Sequence, residues 1–271
     1  MIYVSTTDRA QTEQYVRDMH VGLSGSKLLP YNEILTKTDA TAIIHMGFLR
    51  GTNLLYWHAL RKKIPLYYID RPYWGESRKH PHYMKITKNA HVKSFIEDVK
   101  SDRYEKDFPH KILPYHKNGA DILVIPPSYS VSVMFNAQDW LKETLTILKQ
   151  NTDRNIIVRE KPFNPRSFID EEGRLMPGKS DSQTPNDAID WTKVWAVVTY
   201  NSTITIKAMA NGVPCFCNFD NPCLPIAEED FSKIETPRYE DREPLFWSLA
   251  YGQFTQEERR NGYAMERLDG R

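Results

Sequence analysis

WAVVTYNSTITIKAMANGVPCFC, residues 195–217, decides the reading of the chain. Trp195–Thr199 is a short unbroken run of strand formers, the pattern of a strand covered on both faces. Tyr200-Asn201-Ser202-Thr203 follows as a turn whose Asn and Ser can satisfy the open amides of a helix start. Thr203–Asn211 then reads as a helix, with Gly212 just past its end, where a left-handed backbone favours glycine. Val213–Cys217 is strand again. A strand, helix and strand in this order build a parallel sheet, and the turn at 200–203 falls at a carboxyl strand end, where such sheets gather ligands. Thr203, Ile204, Thr205 and Ile206 are all β-branched and therefore poor helix formers, so burial or a required turn geometry overrides local preference there.

The same alternation extends toward the amino terminus. Asn155–Arg159 reads as a buried strand, preceded by a helix over Trp140–Gln150 with Asp139 as its cap and Leu141, Leu145 and Leu148 as its apolar stripe. Ile122–Ile125 is a further strand, stopped by Pro126-Pro127. In the first part of the chain, strands are expected at Ile2–Ser5, Thr41–His45 and Leu66–Ile69, with helices at Gln11–Met19 and Asn53–Lys63. Residues 161–190 carry repeated Pro, Gly, Ser and Asp and read as a long irregular excursion. Beyond them, Thr255 and Glu258 form a capping-box pattern ahead of a helix reaching Leu268. The fold class expected is α/β, two Rossmann-like lobes facing a cleft. Their limits are 1–117 for the acceptor side and 118–243 for the donor side, with 244–271 as C-terminal helices bridging the lobes.

Composition narrows the function. The chain has 271 residues, 36 Lys and Arg against 35 Asp and Glu, a net charge of +1 and 40% hydrophobic residues. These values exclude a disordered tail, a collagen and a polycationic nucleic-acid coat. No apolar run approaches the roughly 18 residues of a membrane span, and MIYVSTTDRA lacks the layout of an export signal, so a cytoplasmic protein is expected. Cys215, Cys217 and Cys223 cannot all pair with one another and lack a second close pair for zinc, so no metal site is assigned.

Several residues carry candidate chemistry. Tyr200, Asn201, Ser202 and Thr203 can meet a phosphate at the helix start, or simply cap it. Arg159, Glu160 and Lys161 follow a strand end and suit diphosphate oxygens and a ribose hydroxyl, or form a solvated surface group. Ser128, Tyr129 and Ser130 follow another strand end in the same half. Gly47, Arg50 and Gly51 cluster between strand and helix without the GxGxxG spacing of a dinucleotide site, and Arg50 can face an anion. Asp70 ends a strand and opens Asp70-Arg71-Pro72-Tyr73-Trp74-Gly75; its carboxylate can take a proton or hold Arg71. His45 is the second candidate base. From Arg78 to Lys93 the chain carries Arg78, Lys79, Lys85, Lys88 and Lys93 with His80, His82 and His91 and no acid, a strip suited to phosphates or merely to solvent.

Val197-Val198-Thr199-Tyr200-Asn201-Ser202-Thr203 with Lys207–Pro214, and the tail Leu249–Glu258 with Gly262, resemble the donor-site segment of capsular-polysaccharide glycosyltransferases and related phage transferases. Lys207 departs from the acidic or small residue usual at its position. The resemblance implies a GT-B architecture and metal-independent transfer of a sugar from a nucleotide-sugar donor to a hydroxyl, with no cofactor. It implies that the second lobe binds the donor, with Ser202 and Thr203 near its phosphate. Joined to the residue readings above, the donor contacts expected are Ser128, Tyr129, Arg159, Lys161 and Tyr200–Thr203, and the acceptor contacts Arg50, Arg71, Tyr73, Trp74, Arg78 and Lys79. Asp70 or His45 would be the base. The implied acceptor is a surface glycan or a hydroxymethylated pyrimidine of phage DNA. Two other readings stand beside it: a nucleotide-binding protein without transfer chemistry, and a nucleic-acid-binding module using the strip at 78–93.

Overall fold

A computed structural model of the chain describes residues 1–74, 82–92, 96–179 and 188–270, apart from the side chains of residues 10 and 11. In chain order the elements are β1 (Ile2–Ser5), α1 (Ala10–Gly22), β2 (Lys27–Leu29), α2 (Tyr31–Ile34), β3 (Ala42–Met46), α3 (Thr52–Lys62), β4 (Leu66–Asp70) and β5 (Met84–Lys88). There follow α4 (Asp102–Asp107), β6 (Asp121–Ile125), α5 (Tyr129–Met134), α6 (Trp140–Asn151), β7 (Asn155–Val158), β8 (Phe168–Ile169) and β9 (Leu175–Met176). The remainder is β10 (Val194–Thr199), α7 (Ile204–Ala210), β11 (Cys215–Phe216), α8 (Glu243–Tyr251), β12 (Gln253–Phe254), α9 (Gln256–Arg260) and α10 (Tyr263–Leu268). Met1–Asp98, Ile169–Met176 and Ser248–Arg271 form one compact unit, and Val99–Phe168 with Pro177–Trp247 form the other.

The first unit is built on a six-stranded sheet in the order β12-β5-β4-β3-β1-β2. β2, β1, β3 and β4 run parallel, and β5 turns antiparallel against β4. β1 leads through α1 to β2 on one side, and the chain then returns to place β3 on the other. The strand order therefore reverses between β1 and β3. Val4, Ile44, Tyr67, Ile69, Met84 and Ile86 from successive strands share one apolar core with Val16 and Met19 of α1 and Phe254 of β12.

Here the basic strip departs from its sequence reading. Met84 and Ile86 alternate into the core, so the segment is a strand and its cations are carried inward with it. Lys85 is buried against Asp70 at 3.6 Å, Lys88 pairs with Asp269 at 2.7 Å, and His91 is buried. Of the remainder, His82 is exposed, whereas Arg78, Lys79, His80 and Lys93 lie outside the described residues.

The second unit carries a parallel sheet in the order β11-β10-β6-β7. β10 is buried at all six positions, as its apolar run requires for a central strand. The order reverses between β6 and β10, and Thr199 Oγ donates to the Ile125 carbonyl at 2.7 Å across the two strand ends. Gly212, at φ 76°, closes α7 in the left-handed region, as its place past the helix end foretells.

Four local expectations change. β7 is an exposed edge strand instead of a buried one, because apolar content alone does not say whether a second neighbour exists. Asp139 stands at the start of α6 without accepting a cap hydrogen bond. The terminal helix is two, α9 and α10, parted at Asn261-Gly262, although its Thr255/Glu258 capping box forms as read. Finally, the excursion at 161–190 contains the β8/β9 hairpin, while residues 180–187 lie outside the described part.

Candidate functional site

At the reversal point of the first sheet a pocket of about 490 Å³ opens at the carboxyl ends of β1, β2 and β3. Ligands of open α/β sheets collect at such a point, because the loops leaving neighbouring strands part in opposite directions. Thr6, Thr7, Asp8 and Arg9 line it after β1, Pro30 and Tyr31 after β2, and Met46 at the end of β3 with Gly47–Arg50 beyond it. The β8/β9 hairpin adds Arg174 and Met176. Three arginines and one aspartate contribute to the lining; a guanidinium already paired with a carboxylate still has further N–H groups to offer an anion.

Two of the guanidiniums, those of Arg50 and Arg174, are held by ion pairs. Arg50 Nη1 lies 3.1 Å from Asp8 Oδ2, and its backbone, at φ 60°, donates to the Leu175 carbonyl at 2.7 Å. Asn53, buried at the start of α3, donates to Gly173 O and accepts from Leu175 N, both at 2.9 Å, docking the hairpin that carries Arg174. Arg174 pairs with Asp170 at 2.7 Å and Glu172 at 2.8 Å; Asp170 and Tyr31 hold its proton more firmly than usual. Gly51, at φ 99°, packs under the Tyr31 ring, where a Cβ would stand 2.2 Å from the ring, so both backbone angle and space demand glycine. α1 and α3 both begin here without a side-chain cap, at Arg9 and Gly51. Their first turns supply Thr12 and Thr52 to the lining, and their open amides add to the preference for negative charge.

Asp70 stands on the same carboxyl edge, at the end of β4. Its side chain is a third exposed, Oδ1 accepts from the Arg71 amide at 2.8 Å, and Oδ2 faces Lys85. Arg71 is half-buried. Tyr73 and Trp74, expected among the acceptor contacts, are buried. Gln253 Oε1 accepts their amides at 2.6 and 3.4 Å, and the Tyr73 hydroxyl donates to Val92 O at 2.7 Å. Large aromatic area is more stable covered, and these rings are covered by the protein itself.

His45 is enclosed by Tyr56, Tyr68 and, through Tyr68, His91 and Phe48. Its Nδ1 is 2.8 Å from Gly47 O, and Nε2 has no hydrogen-bond partner among the described residues. Burial pushes its pKa down to about 4, so the ring is neutral at neutral pH and holds the Gly47 carbonyl at the pocket floor. The unfolded imidazole takes its proton near 6.5, so between those values the unfolded chain binds more protons than the native one. Stability is therefore expected to fall by about 3 kcal/mol as pH drops from 6.5 to 4, then to level as far as His45 is concerned. Denaturant titrations of the wild type and His45→Phe across this range check it: the variant should lose that slope, and parallel curves would refute the assignment.

In the second unit the carboxyl ends of β6, β7 and β10 bring together Ser128, Tyr129, Arg159, Lys161 and Tyr200–Thr203 on one sheet edge. Ser128 caps α5 by accepting from Val131 N at 3.4 Å, and Tyr129 N donates to buried Asn164 at 2.9 Å. Tyr200 is buried and stacks on Phe219 at 4.3 Å; burial and Asp220 raise its hydroxyl to about 12 and keep it protonated. The Tyr200 side chain is thus a support for the turn, and Asn201 is buried beside it. Ser202 and Thr203 are half-open. Ser202 Oγ accepts from Ile204 N at 3.3 Å, and Asn221, fully buried, grips the Ser202 carbonyl at 3.2 Å and Thr205 Oγ at 3.1 Å. The β-branched start of α7 is explained by this clamp and by burial of Thr205 and Ile206.

Cys215, Cys217 and Cys223 are buried free thiols, and burial raises Cys215 and Cys223, the latter to about 12. No set of His, Cys, Asp and Glu among the described residues is grouped to hold a metal, and no described helix is long and apolar enough to cross a membrane. The sequence reading missed Arg9, Tyr31, Arg174 and the asparagines Asn53, Asn164 and Asn221. Thr6–Arg9 did carry a signal, since it joins the first strand to the first helix as residues 200–203 join theirs.

Two units, one built on a mixed sheet with a parallel core and one on a parallel sheet, each with a strand-order reversal, define an α/β protein. Neither a family model nor a curated protein sequence matches the chain. Among solved structures it is similar to the beta Kdo 2,7 transferase of Thermosulfurimonas dismutans KpsC, with a TM-score of 0.56 and 10% identity over 99% of this chain and 98% of that one. It is likewise similar to the beta Kdo 2,4 transferase of the same organism's KpsC, with a TM-score of 0.51 and 12% identity over 91% and 89%. At these identities the likeness is one of fold.

Proposed function

We propose that the chain is a glycosyltransferase of GT-B type that moves a sugar from a nucleotide-sugar donor, held by the second unit, to a hydroxyl of an anionic glycan held by the first. The observation that carries this reading is the arginine-lined pocket at the reversal point of the first sheet, because a protein that only binds nucleotide has no use for a second equipped edge. The fold shared with two sugar transferases supports it. Ser202, Thr203, Ser128 and Tyr129 would orient the donor. Arg159 and Lys161 would meet the charge gathering on the leaving phosphate, the task a metal performs elsewhere. Asp70 would take the proton as the acceptor hydroxyl attacks the anomeric carbon and the nucleotide leaves. His45, sealed and neutral, is left with the pocket floor.

The test offers purified protein a panel of nucleotide sugars with anionic glycans, neutral glycans and hydroxymethylated DNA, with and without chelator, and reads mass. Transfer to the anionic glycans is expected, undiminished by chelator. Nucleotide binding with neither transfer nor donor hydrolysis would replace the enzyme reading, and transfer to DNA alone would replace the glycan. Arg50→Ala is expected to raise KM for an anionic acceptor about tenfold, the loss of one charge-assisted contact, and to leave donor KM unchanged. Equal effects on both substrates would place Arg50 outside the acceptor pocket.

A further inference from the structure

β7 ends its sheet, so one backbone edge of it is unpaired within the described chain. Most edge strands are blunted by charge, proline or cover. This one instead exposes Ile157 and Val158, each at 41%. Arg159 N donates to Val124 O, so the odd-numbered residues of the strand turn their backbone groups toward β6 and the even-numbered ones, Ile156 and Val158, turn theirs outward.

The sequence around the edge is complementary to itself when reversed. Asp153-Arg154-Asn155-Ile156-Ile157-Val158-Arg159-Glu160-Lys161, laid antiparallel on a second copy about Ile157, sets Ile156 opposite Val158, Arg154 opposite Glu160 and Asp153 opposite Lys161. Asp153, Glu160 and Lys161 are exposed; Arg154 already holds Glu235 at 3.0 Å, so Glu160 would join that pair. Shifting the centre loses charge pairs: about Val158, Glu160 meets Ile156 and Lys161 meets Asn155, and about Ile156, Asp153 meets Arg159 but Glu160 and Lys161 meet Thr152 and Asn151. The Ile157 register also suits the backbone, since Ile156 and Val158 then exchange hydrogen bonds, while Ile157 meets its own copy in a non-hydrogen-bonded pair, where side chains come closest.

We propose that β7 is a dimer interface, pairing antiparallel with β7 of a second copy about Ile157 and joining the two four-stranded sheets into one. Opposite charges across the strands fix the register, and the exposed isoleucine and valine leave water.

Cross-linking tests it at single-residue resolution. Under mild oxidation Ile157→Cys is expected to form a disulfide dimer, because the two Cβ atoms of such a pair lie within bridging reach, whereas Val158→Cys, opposite Ile156, is not. The native thiols are buried and do not compete. In sedimentation equilibrium the wild type should approach twice 31.7 kDa. Asp153→Lys should weaken the dimer about tenfold, and Asp153→Lys/Lys161→Asp should restore it. A wild type monomeric at every concentration, a dimer whose Ile157→Cys and Val158→Cys forms cross-link alike, or one indifferent to Asp153→Lys would overturn the proposal.

Discussion

Asp70→Asn is expected to give a folded protein whose sugar transfer is about 10²–10⁴-fold slower, with the loss in kcat and little change in either KM. The carboxylate ends β4 on the pocket-bearing edge of its sheet, a third exposed. The amide keeps its shape and its acceptor for the Arg71 amide, but it cannot take a proton. One competing cause must be separated. Lys85 is 2% exposed and faces Asp70 at 3.6 Å, so removing the negative charge leaves a buried cation uncompensated and costs stability. Lys85→Met in the same chain relieves that cost. If Asp70 serves only as the counter-ion of Lys85, the double variant recovers its rate. If it is the base, the double variant recovers stability and stays slow, and the acid limb of its pH–rate profile disappears. Recovery of turnover would end the assignment.

How far residues could be read in advance depended on whether their role was local. β1 begins and ends where its apolar run does, and the Thr255/Glu258 box and Gly212 do what their spacing says, because a cap or a closing glycine is decided within a few residues. Met84-Lys85-Ile86 went unread as a strand because its charges draw the eye from its alternation, and because the partner that lets Lys85 be buried, Asp70, is fifteen positions away. The burial of Tyr73 and Trp74 went unread for a related reason: the residue that accepts their amides, Gln253, comes from β12. In the pocket, Arg50 was legible beside Gly51, whereas Arg174 has no sequence signal, since Asn53 brings its hairpin to α3 from some 120 residues off. An α/β order is written in periodicity; the charge of a pocket assembled from β1, β3 and a distant hairpin is not.

Arg259→Met is expected to destabilise the protein by about 3–5 kcal/mol, the cost of breaking a buried ion pair, and to lower Tm by roughly 6–20 °C for a chain of this size. Arg259 and Asp18 are 2% and 1% exposed, with Nη2 3.2 Å from Oδ2. Nη1 donates to Phe254 O at 2.7 Å, and Asp18 Oδ1 accepts from Gln14 at 2.8 Å and Gln256 at 3.2 Å. Burial lowers the Arg259 pKa and Asp18 opposes that, so truncating the arginine strands a carboxylate that, among the described residues, two glutamine amides still reach. Replacing both partners by apolar residues, Asp18→Leu with Arg259→Met, removes the stranded charge and should recover most of the loss. The consequence reaches the candidate base. The pair fastens α9 to α1, and β12 lies immediately before α9; through Gln253, β12 pins the Tyr73 and Trp74 amides that follow Asp70. Hydrogen exchange should therefore speed up at those two amides in Arg259→Met more than at the β6 and β10 amides of the other unit. Calorimetry showing a loss under about 1 kcal/mol, or exchange rising evenly in both units, would mean that this clamp does not hold the β4 edge in place.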